Sequence, residues 1–383
     1  MSLRPVLTAT LCIIYAVAAA TQTTPLWRPK VRPPFPLTKF YETPKPLPTG
    51  KPGDLIRSER FDDYDLPFVT VVRILYHSRT ATGADVPVSG VVLTPAGDPP
   101  TGGWPVIAWT HAFSGAARQC APSLARNLDY GAAFTMWTGL HYAVVATDYA
   151  GLGTDSRNAV MDMRSNANDV VNAVKAAHAA VPSLGSKWIA LGDSEGAASV
   201  VALDEIQSDP GFLGSVALSG VTDAKDVYER LAKGNDRGRI ALLAYAVKTV
   251  SPDFDPNTVL TAKGMSFYEQ IGHSCTPPAS SSDEIAKPGW DANPVLQQFF
   301  STNRLGEKRA SAPLLVIAGE SDAIFPIDLV TSTVARMCKQ GDRVQFDKYP
   351  GLDRLRVPGE SITEQTSWIR DRFAGKAAPS NCP

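Results

Sequence analysis

A serine between two glycines follows an apolar stretch near the middle of the chain. Residues 188–199 read WIALGDSEGAAS, in which Gly192 and Gly196 bracket Ser194. Glycines at these positions allow a tight turn from a strand into a helix, which raises the Ser194 hydroxyl above the edge of a sheet. The backbone N–H of Glu195 then faces the same site from the helix N-terminus. We interpret Ser194 as a nucleophile; the alternative is an ordinary Gly/Ser turn of an α/β protein.

A second loop could stabilise the oxyanion that such a nucleophile creates. The segment WTHAFSG, residues 109–115, ends an earlier apolar strand. Loops at this place supply the second oxyanion donor in hydrolases that have a serine on a strand–helix turn. Ala112 stands where glycine is usual, so we predict that the backbone N–H of Phe113 is the donor. His111 is expected to hold the loop by hydrogen bonding; the alternative is a plain turn at a strand end.

A carboxylate follows a later buried strand. In APLLVIAGESDAIFP, residues 312–326, Asp322 lies in the loop just beyond the apolar run. An acid at this place would orient a catalytic histidine and stabilise its charged form. Glu320 competes for the role, and strand-end aspartates also serve as caps. We favour Asp322, because the expected chain order is serine, acid, histidine.

No histidine follows Asp322, so the expected order breaks at its last member. Two of the five histidines are interpreted as structural, on the first hairpin and on a helix, and another begins a strand. One more lies in the loop beside Phe113, and the last, beside Cys275, is the remaining candidate for a base that swings toward the serine. In chain order the five are His77, His111, His141, His178 and His273.

From about Leu66 onward, short apolar segments alternate with helical ones. FVTVVRILYHS and VPVSGVVLTP, separated by the turn TATGAD, predict a leading hairpin. Buried strands are predicted for WPVIAWTH, YAVVATDY, WIALGD, GSVALSG, APLLVIAG and RVQFDKY, and helices for SNANDVVNAVKAAHAAV and EGAASVVALDEIQS. This order predicts an α/β fold with a mostly parallel central sheet and helices on both faces.

The alternation stops between about Val221 and Ala310, where helical pieces surround a turn-rich middle. We interpret residues 221–310 as a mainly helical cap inserted into a core formed by residues 54–220 and 311–383. Residues 21–53 are dense in proline, which excludes a regular helix or a central strand. This segment is expected to be an extended arm laid over the surface or a floppy leader.

Residues 1–20 are typical of a secretory signal. Arg4 gives the positive start, LTATLCIIYAVAA the apolar core, and three alanines ending at Ala20 the cleavage site. No apolar run reaches the ~20 residues that a membrane-spanning helix needs, so we expect a secreted protein without a transmembrane segment. With 37 Lys+Arg against 38 Asp+Glu, no bulk charge attracts nucleic acid or anionic lipid.

The four cysteines beyond the signal indicate two disulfides, because an even number in an exported chain is typical of cross-linking. The sequence leaves the pairing open; we prefer Cys338 with Cys382, which would tie down the C-terminal tail and leave Cys120 with Cys275. A zinc site is the rival interpretation. It is disfavoured because no Cys-x-x-Cys or paired-histidine spacing occurs, so no metal is predicted.

Several motifs together resemble the secretory lipase family of α/β-hydrolases, which includes fungal lipase A-type enzymes and actinobacterial secreted esterases. The resemblance runs from about Asp54 to Cys382. In order, the motifs are GDLIRSE (residues 53–59), the run from His111 to Ser123, DYAGLG (148–153), GDSEG (192–196) and GESDAIFP (319–326). The set in this order is much more specific than any one member.

The resemblance implies an α/β-hydrolase fold with a helical lid and a secreted carboxylic-ester hydrolase that acts on acylglycerols or simpler esters without a cofactor. The cap is a candidate for contact with a lipid interface. The catalytic serine and acid correspond to Ser194 and Asp322, and the oxyanion donors to Phe113 and Glu195. In the family the catalytic histidine follows a Y-P-G-L-D-like run, which here is YPGLD at residues 349–353, so Arg354 stands in its place.

Arginine cannot act as the base, because its pKa exceeds ~12 and it has no free lone pair at neutral pH. An ion pair between Arg354 and Asp322 is a further expectation. Three interpretations follow: a lipase or esterase with strongly impaired activity, a catalytically inactive protein that binds a lipid or ester, and an enzyme that recruits its base from His273 or a partner. All three retain the serine, acid and oxyanion elements of a hydrolase.

Overall fold

The predicted strand segments of the sequence form one sheet. The structure, a computed structural model, describes residues 32–234, 236–276 and 284–382. The signal predicted at residues 1–20 lies outside the described residues, as does the part of the proline-rich arm before residue 32. In the described chain the strands are β1 (Leu55–Arg60), β2 (Val69–Arg79), β3 (Asp85–Pro95), β4 (Trp104–Thr110), β5 (Ala143–Thr147), β6 (Leu184–Asp193), β7 (Phe212–Leu218), β8 (Leu314–Gly319) and β9 (Val344–Tyr349).

The strand order across the sheet is β1-β2-β3-β5-β4-β6-β7-β8-β9. The pairs β1–β2, β2–β3 and β3–β5 are antiparallel, and every pair from β5 through β9 is parallel. The predicted hairpin is β2–β3, which pairs from Val69 with Pro95 to Arg79 with Asp85. Because parallel strands end at the same edge of a sheet, the loops after β4, β6, β8 and β9 share one edge.

Helices cover both faces of the sheet. They are α1 (Gly131–Gly139), α2 (Met163–Ala180), α3 (Glu195–Asp204), α4 (Ala224–Lys233), α5 (Arg239–Val250), α6 (Ala262–Ile271), α7 (Pro294–Thr302), α8 (Ile327–Lys339), α9 (Val357–Glu360) and α10 (Ile362–Phe373). Alternate strand residues face opposite sides, so that Val106 packs with α2 and α3 while Ile107 packs with α1 and α10. The predicted mostly parallel sheet flanked by helices is confirmed.

Helices α4 to α7 lie between β7 and β8, in the segment that the sequence assigns to an inserted cap. Among its described residues the only β-type pairing is an isolated bridge from Leu260 to Ala286. Cys120 is bonded to Cys275, which follows α6, and Cys338 to Cys382, the pairing that the sequence analysis preferred. The first bond links this segment to the chain that follows β4.

The described part of the proline-rich arm packs against the core through Phe35 and Tyr41, which are buried. It contains one short 3₁₀ helix, Lys39–Tyr41, where the analysis excluded a helix. The turn lies between Pro36 and Pro44, in an interval without proline, so that the backbone N–H groups it needs are present. None of the described helices has the length and apolar character needed to cross a membrane.

Candidate active site

Ser194 occupies a strained turn between β6 and α3. Its backbone has φ 56° and ψ −114°, a conformation that non-glycine residues rarely adopt. The neighbouring glycines are required by close packing, since a Cβ on Gly196 would lie 2.1 Å from the carbonyl oxygen of Thr110. A Cβ on Gly192 would lie 2.2 Å from the Gly196 carbonyl oxygen. This geometry is what a nucleophile elbow requires.

A cavity of about 300 Å³ lies over this turn, and four of the predicted site residues line it. Ser194, Glu195, Phe113 and Arg354 come from the loops after β6, β4 and β9 and meet at the shared edge of the sheet. The other lining residues are Ala112, Val160, Met161, Asp193, Val227, Tyr228, Leu231, Arg239, Leu242, Ile324, Phe325 and Leu355. The cavity therefore has a polar floor on the core and largely apolar walls that include α4 and α5.

The two predicted oxyanion donors are available. Neither the Phe113 N–H nor the Glu195 N–H donates a hydrogen bond to any residue within the described ranges. The N–H of Ala112 instead donates to the Tyr130 hydroxyl at 2.9 Å, and that hydroxyl donates to Asp193 Oδ2 at 3.5 Å. Tyr130 thus connects the loop after β4 to the residue that precedes Ser194.

His111 is buried and held by two carbonyl oxygens. Its Nδ1 lies 2.6 Å from the Ala112 oxygen and its Nε2 lies 3.2 Å from the Asp148 oxygen, while its ring packs 4.2 Å from the Tyr149 ring. Burial lowers the pKa of His111. Asp148 in turn accepts hydrogen bonds from the Ser123 N–H at 2.8 Å and the Ser123 hydroxyl at 2.5 Å. These contacts support the prediction that His111 holds the loop.

The Glu195 side chain organises another wall of the cavity. Its Oε1 accepts hydrogen bonds from the Met161 N–H at 2.7 Å and from Asn166 Nδ2 at 3.2 Å. Burial raises the pKa of this carboxyl to about 7. Met161 lines the cavity and has a positive φ of 62°, so Glu195 fixes the chain at a conformationally costly position.

Asp322 lies behind the cavity wall and does not line it. Its Oδ1 accepts the backbone N–H groups of Ile324 at 2.8 Å and Phe325 at 2.9 Å, whereas its buried Oδ2 has no partner among the described residues. Burial raises the pKa of Asp322, against the lowering effect of these N–H groups and of Arg354. Glu320, the competing acid, is exposed. An unpartnered buried oxygen is what a histidine at the site would satisfy.

Arg354 reaches the cavity but pairs with neither acid. It acts on Asp322 and Asp193 through its charge alone, and it forms no ion pair with a carboxylate in the described part of the chain. The expected ion pair with Asp322 is therefore wrong: backbone N–H groups hold the carboxylate through Oδ1, and Arg354 does not come within ion-pair distance of the unpartnered Oδ2. The Ser194 hydroxyl likewise has no hydrogen-bond partner within the described residues.

All five histidines lie in the described ranges, and none lines the cavity. His77 contacts Asp85 at 3.1 Å, and His178 lies in the last turn of α2. His141 lies in a turn and stacks on Trp104 at 6.1 Å; the predicted strand starts only at Ala143. His273 is exposed and accepts a hydrogen bond from Gln119 at its backbone oxygen.

The sequence analysis missed Asp193, although it lies inside the GDSEG motif. Its side chain lines the same cavity as Ser194, and burial raises its pKa to about 7 in spite of the hydrogen bond from Tyr130 and the charge of Arg354. Its position directly before Ser194 was the available signal. The described residues contain no group of three or more His, Cys, Asp or Glu side chains that could hold a metal.

One family model matches more than half of the chain. The family model described as Secretory lipase matches residues 136–381. A secreted triacylglycerol lipase (LIP7) of Malassezia globosa is 28% identical over 79 residues, which cover 20% of this chain and 17% of that protein. The match therefore spans less than a fifth of the relative's length.

Solved structures show the fold. Candida antarctica lipase A in its closed state superposes with a TM-score of 0.77 at 17% identity, covering 90% of this chain and 87% of that chain. The rice cell wall degrading esterase LipA from Xanthomonas oryzae gives a TM-score of 0.67 at 18% identity, covering 85% and 98%. Together with the sheet and its flanking helices, these likenesses confirm the predicted α/β-hydrolase fold.

Proposed function

Since the chain belongs to the secretory lipase family, we propose that it is an exported carboxylic-ester hydrolase whose turnover is impaired by Arg354. The substrates would be acylglycerols or simpler esters, and the intermediate an acyl-enzyme on Ser194. One observation carries the proposal: Ser194, on a strained elbow, shares a cavity with two free N–H donors and with Arg354. Export is proposed from the sequence of residues 1–20 and from the family.

The nucleophile and the oxyanion site support ester chemistry. Attack of Ser194 Oγ on an ester carbonyl turns the carbonyl oxygen into an oxyanion, which the N–H groups of Phe113 and Glu195 would stabilise. Such donors in a site that excludes water contribute ~10²–10³ in kcat. Loss of the leaving alcohol then gives the acyl-enzyme, and water releases the acid. The proposed mechanism uses no cofactor.

The base is the missing component. In the intact mechanism a histidine takes the proton from the serine and returns it to the leaving alcohol. Arg354 has no lone pair for this role, and the Ser194 hydroxyl has no acceptor among the described residues. Loss of a triad histidine costs on the order of 10⁶ in kcat, and ~10³–10⁴ over water remains from the oxyanion site and binding. Recruitment of His273 is disfavoured because this side chain is exposed and does not line the cavity.

Residues 221–310 are proposed as the cap over the acyl site. Val227, Tyr228 and Leu231 of α4 and Leu242 of α5 contribute apolar wall to the cavity. An acyl chain would lie against these side chains while its carbonyl faces Ser194. Leu355 is 75% exposed at the cavity and offers an apolar contact for a lipid or a lipid surface.

Ester hydrolysis by the unaltered chain and by Ser194→Ala tests the proposal. We expect slow release of p-nitrophenol from p-nitrophenyl butyrate by the unaltered chain and no release above background by Ser194→Ala. Ser186→Ala, which changes an exposed serine on β6, the strand that leads to Ser194, is the matched control and should keep the slow rate. Equal rates in the Ser194→Ala and unaltered proteins would contradict a serine mechanism.

The second candidate is a catalytically inactive protein that binds a lipid or ester. It is favoured by the lack of an acceptor for the Ser194 hydroxyl in a cavity that otherwise retains its acyl-binding walls. Stoichiometric binding of a lipid, together with no hydrolysis by either the unaltered chain or an Arg354→His variant, would favour this candidate over an impaired enzyme.

A further inference from the structure

The guanidinium of Arg354 is unusual among the arginines around the cavity because nothing in the described chain neutralises it by contact. Arg239, which also lines the cavity, is ion-paired with Asp236. Arg356, two residues along the same loop, pairs with Glu360 at 3.3 Å. Arg354 is half-buried and makes no such pair. A cation in this position attracts an anion from solution.

Arg354 interacts through its charge with two carboxyl groups, those of Asp322 and Asp193, and they compensate this charge only weakly. One oxygen of Asp322 accepts two backbone N–H groups, and Asp193 accepts the Tyr130 hydroxyl. Burial raises the pKa of Asp322, and it raises the pKa of Asp193 to about 7, so part of the Asp193 population is protonated near neutral pH. Neither acid approaches Arg354 within ion-pair distance.

The cavity that Arg354 lines also presents two backbone hydrogen-bond donors. The N–H groups of Phe113 and Glu195 have no partner among the described residues, and Glu195 is the first residue of the ten-residue helix α3. Free N–H groups at a helix N-terminus favour negative charge. Arg354 and these donors line the same cavity, so all three face the space in which an anion would bind.

The remaining wall suits an alkyl chain. Val227, Leu231 and Leu242 from the inserted segment line the cavity together with Phe325 and Leu355. Its volume of about 300 Å³ is at the lower end of the range for small-molecule sites, ~300–1,000 Å³. A chain of medium length fits this space better than a long one.

We propose that this cavity binds free medium-chain fatty acids, with the carboxylate between Arg354 and the N–H groups of Phe113 and Glu195. The alkyl chain lies against the apolar side chains of α4 and α5. The inference rests on the proposed function, because the cavity is the acyl site of that function, but it requires no turnover. A histidine at position 354, neutral at alkaline pH, would give the carboxylate much less electrostatic attraction.

Calorimetric titration of the secreted chain with three ligands of equal chain length tests the proposal. We expect decanoate to bind with one site per chain, and methyl decanoate and decylamine to bind at least ten-fold more weakly. Charge-assisted hydrogen bonds to a carboxylate give a difference of this size. Equal affinity for decanoate and its methyl ester, or no binding of decanoate, would overturn the proposal. This comparison needs no variant, so it does not depend on the folding of a mutant.

Two arginine variants test whether the charge that attracts decanoate belongs to Arg354. Arg354→Gln should weaken decanoate binding about ten- to hundred-fold and leave the affinity for methyl decanoate unchanged. Arg356→Gln, which removes the same charge from an exposed, ion-paired neighbour, should leave both affinities unchanged. An equal loss in both variants would assign the preference to the general charge of the loop and overturn the proposed contact.

Hydrolysis assays separate this inference from the proposed function. Suppose that Arg354→His hydrolyses p-nitrophenyl esters while the unaltered chain binds decanoate and methyl decanoate with equal affinity. The proposed hydrolase function is then supported, and the proposed carboxylate site is wrong. If decanoate binds selectively through Arg354 and the Arg354→His variant is inactive, the carboxylate site is supported and the proposed hydrolase function is wrong.

Discussion

Asp193 and Glu195 flank Ser194, and burial raises the pKa of both carboxyls to about 7. Glu195 is the more buried of the two and holds the Met161 N–H, whereas Asp193 faces the cavity. A buried carboxyl with a raised pKa binds its proton more tightly in the folded state than in the unfolded state. The contribution of each of these carboxyls to the free energy of unfolding is therefore largest below its unfolded pKa and falls as the pH rises toward about 7.

Replacing Glu195 by glutamine should remove its part of this fall. The amide keeps an oxygen for the Met161 N–H and carries no charge, so Glu195→Gln should gain about 1–3 kcal/mol relative to the unaltered chain between pH 5 and pH 8. Urea unfolding at the two pH values measures the change. Glu360→Gln, at an exposed position, is the control and should show no pH-dependent gain. A Glu195→Gln difference that is equal at both pH values would contradict the raised pKa.

The elements around the site are held by different means. The elbow between β6 and α3 depends on tight backbone packing, because Gly196 leaves no space for a Cβ against the Thr110 carbonyl. The inserted segment, in contrast, is joined covalently to the chain after β4, where Cys120 bonds to Cys275. The same stretch after β4 carries Phe113, so the disulfide connects the proposed cap to the proposed oxyanion loop.

Removing the Cys120–Cys275 bond by changing both residues to serine should destabilise the chain by about 2–5 kcal/mol. We also expect faster proteolysis within residues 221–310 and weaker binding of decanoate, because the walls from α4 and α5 lose their tie to the core. Limited proteolysis followed by mass spectrometry locates the cleavage sites.

The matched control is the pair of serine substitutions at Cys338 and Cys382, which join α8 to the C-terminal tail. This variant should lose stability but keep its affinity for decanoate and its resistance to cleavage in residues 221–310. If the control loosens the inserted segment as much as the Cys120 and Cys275 variant does, the specific link between the disulfide and the cap is wrong.

Most buried strands of the molecule were predictable because their apolar runs are continuous. RVQFDKY was also predicted as a buried strand, but it forms the edge strand β9, in which Val344 alone is fully buried, because no further strand covers that edge of the described sheet. The edge strand β1 was missed, since its residues LIRSER are polar and only partly buried. Helix α1 begins and ends with glycine, and α10 carries three charged residues in its last five positions, which weakens the helical pattern of both. Where a segment mixes apolar residues with charged residues or glycine, its tertiary packing decides whether it forms a helix or a strand.

The site was predictable where a motif and a strand end coincide. Ser194, Glu195 and Phe113 follow apolar strands, Arg354 follows the partly buried edge strand β9, and the parallel sheet brings those strand ends to one edge. Met161 and the residues of α4 and α5 carry no such signal. They reach the cavity through long connections whose path the sequence does not encode locally, so only the folded chain identifies them.

We propose that Arg354 stands where the general base of an ester hydrolase belongs. The most direct measurement is kcat/KM for p-nitrophenyl butyrate with the unaltered chain, Arg354→His and Arg354→Gln. Both variants remove the permanent guanidinium charge, but only histidine supplies a base near neutral pH. We predict that Arg354→His raises kcat/KM by about 10²–10⁴, with a rate that increases as the pH rises through the histidine pKa, and that Arg354→Gln stays near the unaltered rate. An Arg354→His variant no faster than Arg354→Gln, or brisk hydrolysis by the unaltered chain, would contradict the claim.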